Sequence, residues 1–387
     1  MGDKKYSRFF FTAYLILFTT GVGVLSTGAV LPEIVGEFNL GYDTAGLLIS
    51  VQAIGNMVSL VAGGYLSDII GRKYILLAGP AMIAAGFFGI SIASSPPLLF
   101  VLIFIAGCGW GVNNISSIIM NDITGGSASH LNRLHIFFAA GAFAAPFLVI
   151  SVAALGFGWR AVCGVIGVMA AVSAALAAIV KIPETKKARS EKPVSFEAFT
   201  HLRYYIFIII AFAYTAVEFV MNGWITTYFQ DTGLLTDVRA KIVLSLVWLS
   251  IMAGRVLFSF VGDKIKKEHV LVICAAVILI FSAALTRLNS FIGIAVCVFI
   301  LGLGLSAVIP TNLANAVVTV KSSGAAMGVL ISSGGLGAAA GPVVTGIIAE
   351  RLGLSASIWT AAGFACILAL AAGVNYILGK TNQILKE

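Results

Sequence analysis

Twelve apolar runs, each about twenty residues long and parted by short polar connections, constrain this chain more than any other feature. They lie near 10–32, 44–66, 74–94, 98–120, 132–155 and 160–180, then 204–228, 240–261, 269–287, 290–316, 324–348 and 357–378. A run of that length is what an α-helix needs to cross the hydrocarbon of a bilayer. Water-soluble packing is the alternative, and composition argues against it. Only 10% of the 387 residues are charged and 59% are hydrophobic, whereas a soluble domain carries about 25% charged residues. Such a chain has too little polar surface to cover itself in water, but its apolar side chains can face lipid.

The sequence predicts an all-α integral membrane protein with twelve transmembrane helices in two pseudo-symmetric six-helix bundles. The long polar stretch 181–203 separates them, giving an N-terminal bundle over 1–180, a central loop and a C-terminal bundle over 204–387. With the N-terminus placed in the cytoplasm, 18 lysines and arginines fall on the cytoplasmic side and 5 opposite; Arg255, inside the eighth run, completes the 24. The positive-inside rule therefore predicts a cell-membrane protein with both termini and the 181–203 loop cytoplasmic. The first run is too long for a signal h-region and lacks a small-residue cleavage pattern after it, so it reads as a retained helix.

The net charge of +8 does not indicate a nucleic-acid partner, because the basic residues sit in short loops rather than on an aromatic-interleaved surface. Cys108, Cys163, Cys274, Cys297 and Cys366 each stand alone in an apolar run, a spacing without metal pairs or a disulfide framework. The sequence holds no Ser-His-Asp constellation, metal-ligand cluster or phosphate loop, and its loops are too short to build one. An enzyme, a cofactor and a metal are therefore not expected. The expected partners are the bilayer, a small-molecule substrate and protons, with the chain acting as a monomer.

The two halves echo each other. Gly64-Tyr-Leu-Ser-Asp68-Ile-Ile-Gly71-Arg72-Lys73 after the second run answers Ser259-Phe-Val-Gly-Asp263-Lys-Ile-Lys-Lys267 after the eighth. Gly141-Ala-Phe-Ala-Ala-Pro146 in the fifth answers Gly337-Ala-Ala-Ala-Gly-Pro342 in the eleventh at almost the same offset. Parallel six-helix repeats are one of the transporter layouts that hold substrate between repeats near the midplane.

Gly64-x-Leu66-x-Asp68-x-x-Gly71-Arg72-Lys73 resembles the signature loop between helices 2 and 3 of the major facilitator superfamily. That resemblance spans the chain and implies two bundles that rock about a central cavity. Asn132-Arg-Leu-His135-x-x-Phe138-x-x-Gly141-Ala-x-x-x-Pro146 is similar to the fucose/galactose/glucose–proton symporter branch. So are Glu218 with Trp224 and Tyr228, and Gly302-x-Gly304-x-x-x-x-x-Pro310-Thr311. The branch implies a sugar substrate and proton coupling. Its usual acid in the first helix is absent here, since Leu15 to Leu31 contains none. Proton-driven export of drugs or metabolites, and transport of an organic anion, are the competing readings.

Polar groups within a bilayer are expensive and mark pathways or partners. Glu218 is the most deeply embedded acid and the candidate proton carrier, with His135 as a candidate assistant. Asn222 and Thr226 share its helix face at spacings of four and eight. Gln52, Asn56, Asn113, Asn114, Asn222, Trp224, Asn312 and Asn315 are the candidate substrate-binding residues; interhelical hydrogen bonding is the competing role. Gly64, Asp68, Gly71, Arg72, Lys73 and, in the second half, Asp263 are the candidate gate, whose charged groups would pair in only one of two states. Arg255 is placed to neutralise Glu218, contact an anion or snorkel to the surface.

Overall fold

A computed structural model describes residues 2–124, 127–182, 197–261, 264–320 and 324–384. Twelve of its helices are long and apolar enough to cross a bilayer. Helix is the economical answer there, because each span satisfies its own backbone where no water is available. Asp263 and residues 183–196 of the central loop lie outside the described residues.

The chain divides into two compact units, Met1–Arg189 and Ser190–Glu387. The N-terminal unit contains α1 (Gly2–Ala29), α2 (Leu31–Phe38), α3 (Tyr42–Ile69), α4 (Arg72–Ile92), α5 (Pro96–Asn113), α6 (Ile115–Ile123), α7 (Ala128–Ala154) and α8 (Trp159–Ile179). The C-terminal unit contains α9 (Leu202–Asp231), α10 (Asp237–Val261), α11 (Lys267–Leu285), α12 (Phe291–Val320), α13 (Gly324–Leu352), α14 (Leu354–Ser357) and α15 (Trp359–Ile384). Both units use one internal pairing scheme. In the first, α1 packs on α7, α3 on α5, and α4 on both α5 and α8; in the second, α9 packs on α13, α10 on α12, and α11 on both α12 and α15.

Small residues make the closest of these pairings possible, as lipid-embedded helices require. A Cβ added to Gly141 on α7 would collide with the carbonyl oxygen of Phe18 on α1. The repeat-related Gly337 on α13 stands in the same relation to Phe212 on α9. Here the sequence echo corresponds to a matching backbone contact inside each unit.

Two expectations change in detail. The fourth span, expected to run unbroken over 98–120, is interrupted at Asn114 between α5 and α6. The Asn114 amide side chain donates to the carbonyls of Trp110 and Gly111, satisfying backbone acceptors where the helix resets. The signature segment is not a loop either. α3 continues to Ile69, so Gly64 and Asp68 are helical, and only Ile70 and Gly71 separate α3 from α4. Gly71 has φ +97°, a conformation that strongly favours glycine.

Candidate functional site: a charge-compensated polar cluster on α9 and α10

Glu218 sits near the middle of α9, half-buried. The Tyr214 hydroxyl, one turn earlier, donates to its carboxylate, and Arg255 on α10 interacts electrostatically with both. Tyr214 is 3% exposed. One turn further along α9, Asn222 Oδ1 accepts a 3.0 Å hydrogen bond from Trp248 Nε1 on α10. An acid, a base, a phenol, an amide and an indole thus share one helix–helix seam. Arg255 compensates the charge of Glu218, which lowers the penalty of holding either in a low-dielectric medium.

The N-terminal unit offers a different chemistry. Gln52 Nε2 on α3 donates to Thr27 Oγ1 on α1 at 3.2 Å, and Asn113 Nδ2 on α5 donates to Thr20 Oγ1 on α1 at 2.8 Å. Both amides are almost fully buried, so they tie helices together. In the C-terminal unit Asn312 Nδ2 on α12 donates to the Phe207 carbonyl at 2.9 Å, and the Asn312 side chain is buried. Trp224, expected to face a solute, is 0% exposed, with Nε1 donating to the Pro342 carbonyl on α13 at 3.1 Å. Its indole packs between helices and presents no surface to a ligand in this structure. Asn315 is buried too, whereas Asn56 and Asn114 are half-buried. His135 is exposed on α7.

The signature residues make contacts inside their own unit. Arg72 Nη1 meets Asp122 Oδ2 on α6 at 2.5 Å. Lys73 Nζ donates to the carbonyls of Ala177, at 2.5 Å, and Val180 at the end of α8, where helix carbonyls lack partners and favour a cation. Asp68 is exposed. A Cβ at Gly64 would meet nothing within 4 Å, so packing here does not demand glycine.

Sequence reasoning missed several partners. Tyr214 was discoverable, since it lies four residues before Glu218 on the same face. The Asn222–Trp248 bond and the Arg72–Asp122 pair needed the tertiary register. A further clasp was missed where α2 meets α8: Glu37 accepts from Trp159 Nε1 at 2.7 Å and from Arg160 Nη2 at 2.6 Å, and Arg160 also donates to the Ser91 carbonyl at 3.2 Å. The Arg160 guanidinium holds the Glu37 carboxyl below the usual carboxylate range.

A family model described as Major Facilitator Superfamily matches residues 13–329 and 235–382. Among curated proteins, a relative called Protein TsgA homolog, from Serratia proteamaculans, is 23% identical over 369 residues, covering 94% of this chain and 93% of that protein. Among solved structures, a mutant form of the nucleoside transporter NupG aligns with TM-score 0.81 at 15% identity, over 95% of this chain and all of that one. A D-xylose–proton symporter aligns with TM-score 0.77 at 15% identity, over 95% of this chain and 97% of that one. At these identities the structural likenesses establish the fold.

Proposed function

Because this chain belongs to the Major Facilitator Superfamily, a family of transporters rather than enzymes, we propose that it is a secondary transporter that moves a small, uncharged polar solute, a sugar, together with protons. The observation that carries this reading is the Glu218–Tyr214–Arg255 cluster. An acid embedded in a span is costly unless used. Arg255 supports it when ionised, and Tyr214 can follow either protonation state by turning its hydroxyl.

Charge compensation also narrows the substrate. With Glu218 ionised, its charge and that of Arg255 sum to zero, so the cluster then carries no surplus positive charge for an organic anion. The amide of Asn222, fixed by Trp248, suits hydroxyl-bearing solutes. A D-xylose–proton symporter among the structural neighbours is consistent with this choice. Nucleosides are the second reading, favoured by the likeness to NupG; their ribose presents the same hydroxyl chemistry.

Coupling then requires Glu218 to take a proton from the outer side and release it to the cytoplasm. We place both termini and the central loop in the cytoplasm of a cell membrane, from the 18-to-5 lysine and arginine bias. Asp68, Arg72 and Lys73 at the cytoplasmic end of α3 and α4 serve as the gate. Thermal-shift measurements on purified protein test the substrate class directly. Pentoses and hexoses should raise Tm in a concentration-dependent way, and citrate and cationic dyes should not. Stabilisation by citrate alone would overturn the assignment.

A further inference from the structure

The outer half of the α9–α10 seam holds buried polar side chains that the cluster around Glu218 does not use. Thr226 is 1% exposed, and its hydroxyl has no hydrogen-bond partner among the described residues; nor has the buried Oε1 of Gln230. On the facing helix, Ser245 and Lys241 are each 1% exposed. Lys241 Nζ pairs with Asp237 Oδ1 at 2.5 Å, and that aspartate side chain is 40% exposed.

Register makes these groups one row. α9 and α10 are antiparallel and joined by the short turn 232–236. The Asn222–Trp248 bond fixes their alignment; counted antiparallel from it, Thr226 falls level with Ser245 and Gln230 level with Lys241. On α9, Glu218, Asn222, Thr226 and Gln230 recur every four residues; on α10, Lys241, Ser245, Trp248 and Arg255 follow at helical spacing. Buried polar atoms without a protein partner are as a rule met by ordered water, and a polar seam with several such atoms supplies the two to four partners a water needs.

We propose that this seam is a hydrated proton file that joins Asp237 at the outer surface to Glu218, apart from the route taken by the solute. The proposal rests on the coupling role given to Glu218 above. The Lys241 ammonium passes a proton inward along water and the hydroxyls of Ser245 and Thr226, each hydroxyl releasing one proton as it accepts another. Water held at Asn222 hands the proton to a Glu218 carboxylate oxygen. Lys241 is then reprotonated from outer water through Asp237. Asp237 and Lys241 end as they began, and one proton has moved to Glu218. Passing the proton as a Lys241 vacancy avoids placing a second positive charge beside a buried ammonium. Few other charges face this row. Among the described residues α12, packed on both helices, carries no acidic or basic side chain, and Glu350 and Arg351 lie in the last turn of α13. Arg239 on α10 lies over the Phe291 ring instead.

Infrared difference spectroscopy on protein in phosphatidylcholine vesicles, after acidification of the outer solution alone, tests the file without any solute. The protonated-carboxyl band that Glu218→Gln removes should appear quickly in the unaltered protein. In the Thr226→Val/Gln230→Leu double variant it should reach the same amplitude about tenfold more slowly or worse, and Thr226→Ser should retain the fast rate. An unchanged rate in the double variant, or equal slowing in Thr226→Ser, overturns the file. Absence of any Glu218-dependent band in the unaltered protein overturns the coupling reading itself and the file with it.

Discussion

Trp248 on α10 donates its indole N–H to Asn222 Oδ1 on α9 at 3.0 Å, one helical turn from Glu218. The bond sets the register of the two helices that carry the ionisable cluster, so its loss should be felt both in stability and at Glu218. Trp248→Phe keeps the ring but leaves the buried Asn222 oxygen without that donor. We expect destabilisation of about 1 kcal/mol, in the range of interhelical hydrogen bonds within membranes. A double-mutant cycle with Asn222→Ala in detergent unfolding should return a coupling energy of the same sign.

Gly141 and Gly337 lie where α7 meets α1 and where α13 meets α9, against the carbonyls of Phe18 and Phe212. Gly141→Ala and Gly337→Ala should each destabilise by about 1–3 kcal/mol through overpacking. Gly64→Ala, where a Cβ meets nothing, should leave Tm unchanged or slightly raised, because alanine favours helix. Thermal unfolding of the three variants checks this contrast.

For the gate, Asp68→Asn should slow turnover about tenfold while substrate affinity stays close to that of the unaltered protein. Asp122→Asn, which removes the partner of Arg72, should act in the same direction. Uptake rates set beside equilibrium binding separate the two effects; weakened binding with normal turnover would contradict the gating role.

Glu37 clasps Trp159 and Arg160 with its carboxyl held below the usual range by the guanidinium. A depressed folded-state value means the clasp adds stability above the unfolded value of about 4.3, and loses it as the pH falls through the folded value. Glu37→Gln should therefore be less stable than the unaltered protein at neutral pH, with the difference shrinking below pH of about 4. Melting curves across that window measure it.

Much of the fold was legible because its determinants are local. Twenty-residue apolar runs report spans directly, and Gly141 and Gly337 betray the repeat because close helix approach tolerates little else. Span ends were less legible: α3 runs through Asp68 and α9 reaches Asp231, since polar residues at the bilayer boundary carry no apolar signal. The candidate site was legible in its residue types but not in its pairings. Glu218 stands out in sequence as an embedded acid. Whether an amide faces a solute or ties helices depends on tertiary contacts, and Gln52, Asn113 and Asn312 tie helices. Trp224 looked amphipathic enough for a binding surface, yet the Pro342 carbonyl takes its N–H.

The central claim is that Glu218 carries the coupled proton. Purified protein in liposomes, loaded with a pH-sensitive dye and given D-xylose or another sugar that raises Tm, tests it most directly. Sugar addition should drive proton uptake in the unaltered protein. Glu218→Gln, which fixes the neutral form, should abolish that proton movement and gradient-driven accumulation while retaining sugar counterflow, because exchange needs no net proton transfer. Accumulation by the unaltered protein without proton flux, or equal accumulation by Glu218→Gln, would contradict the account and leave Glu218 a structural acid.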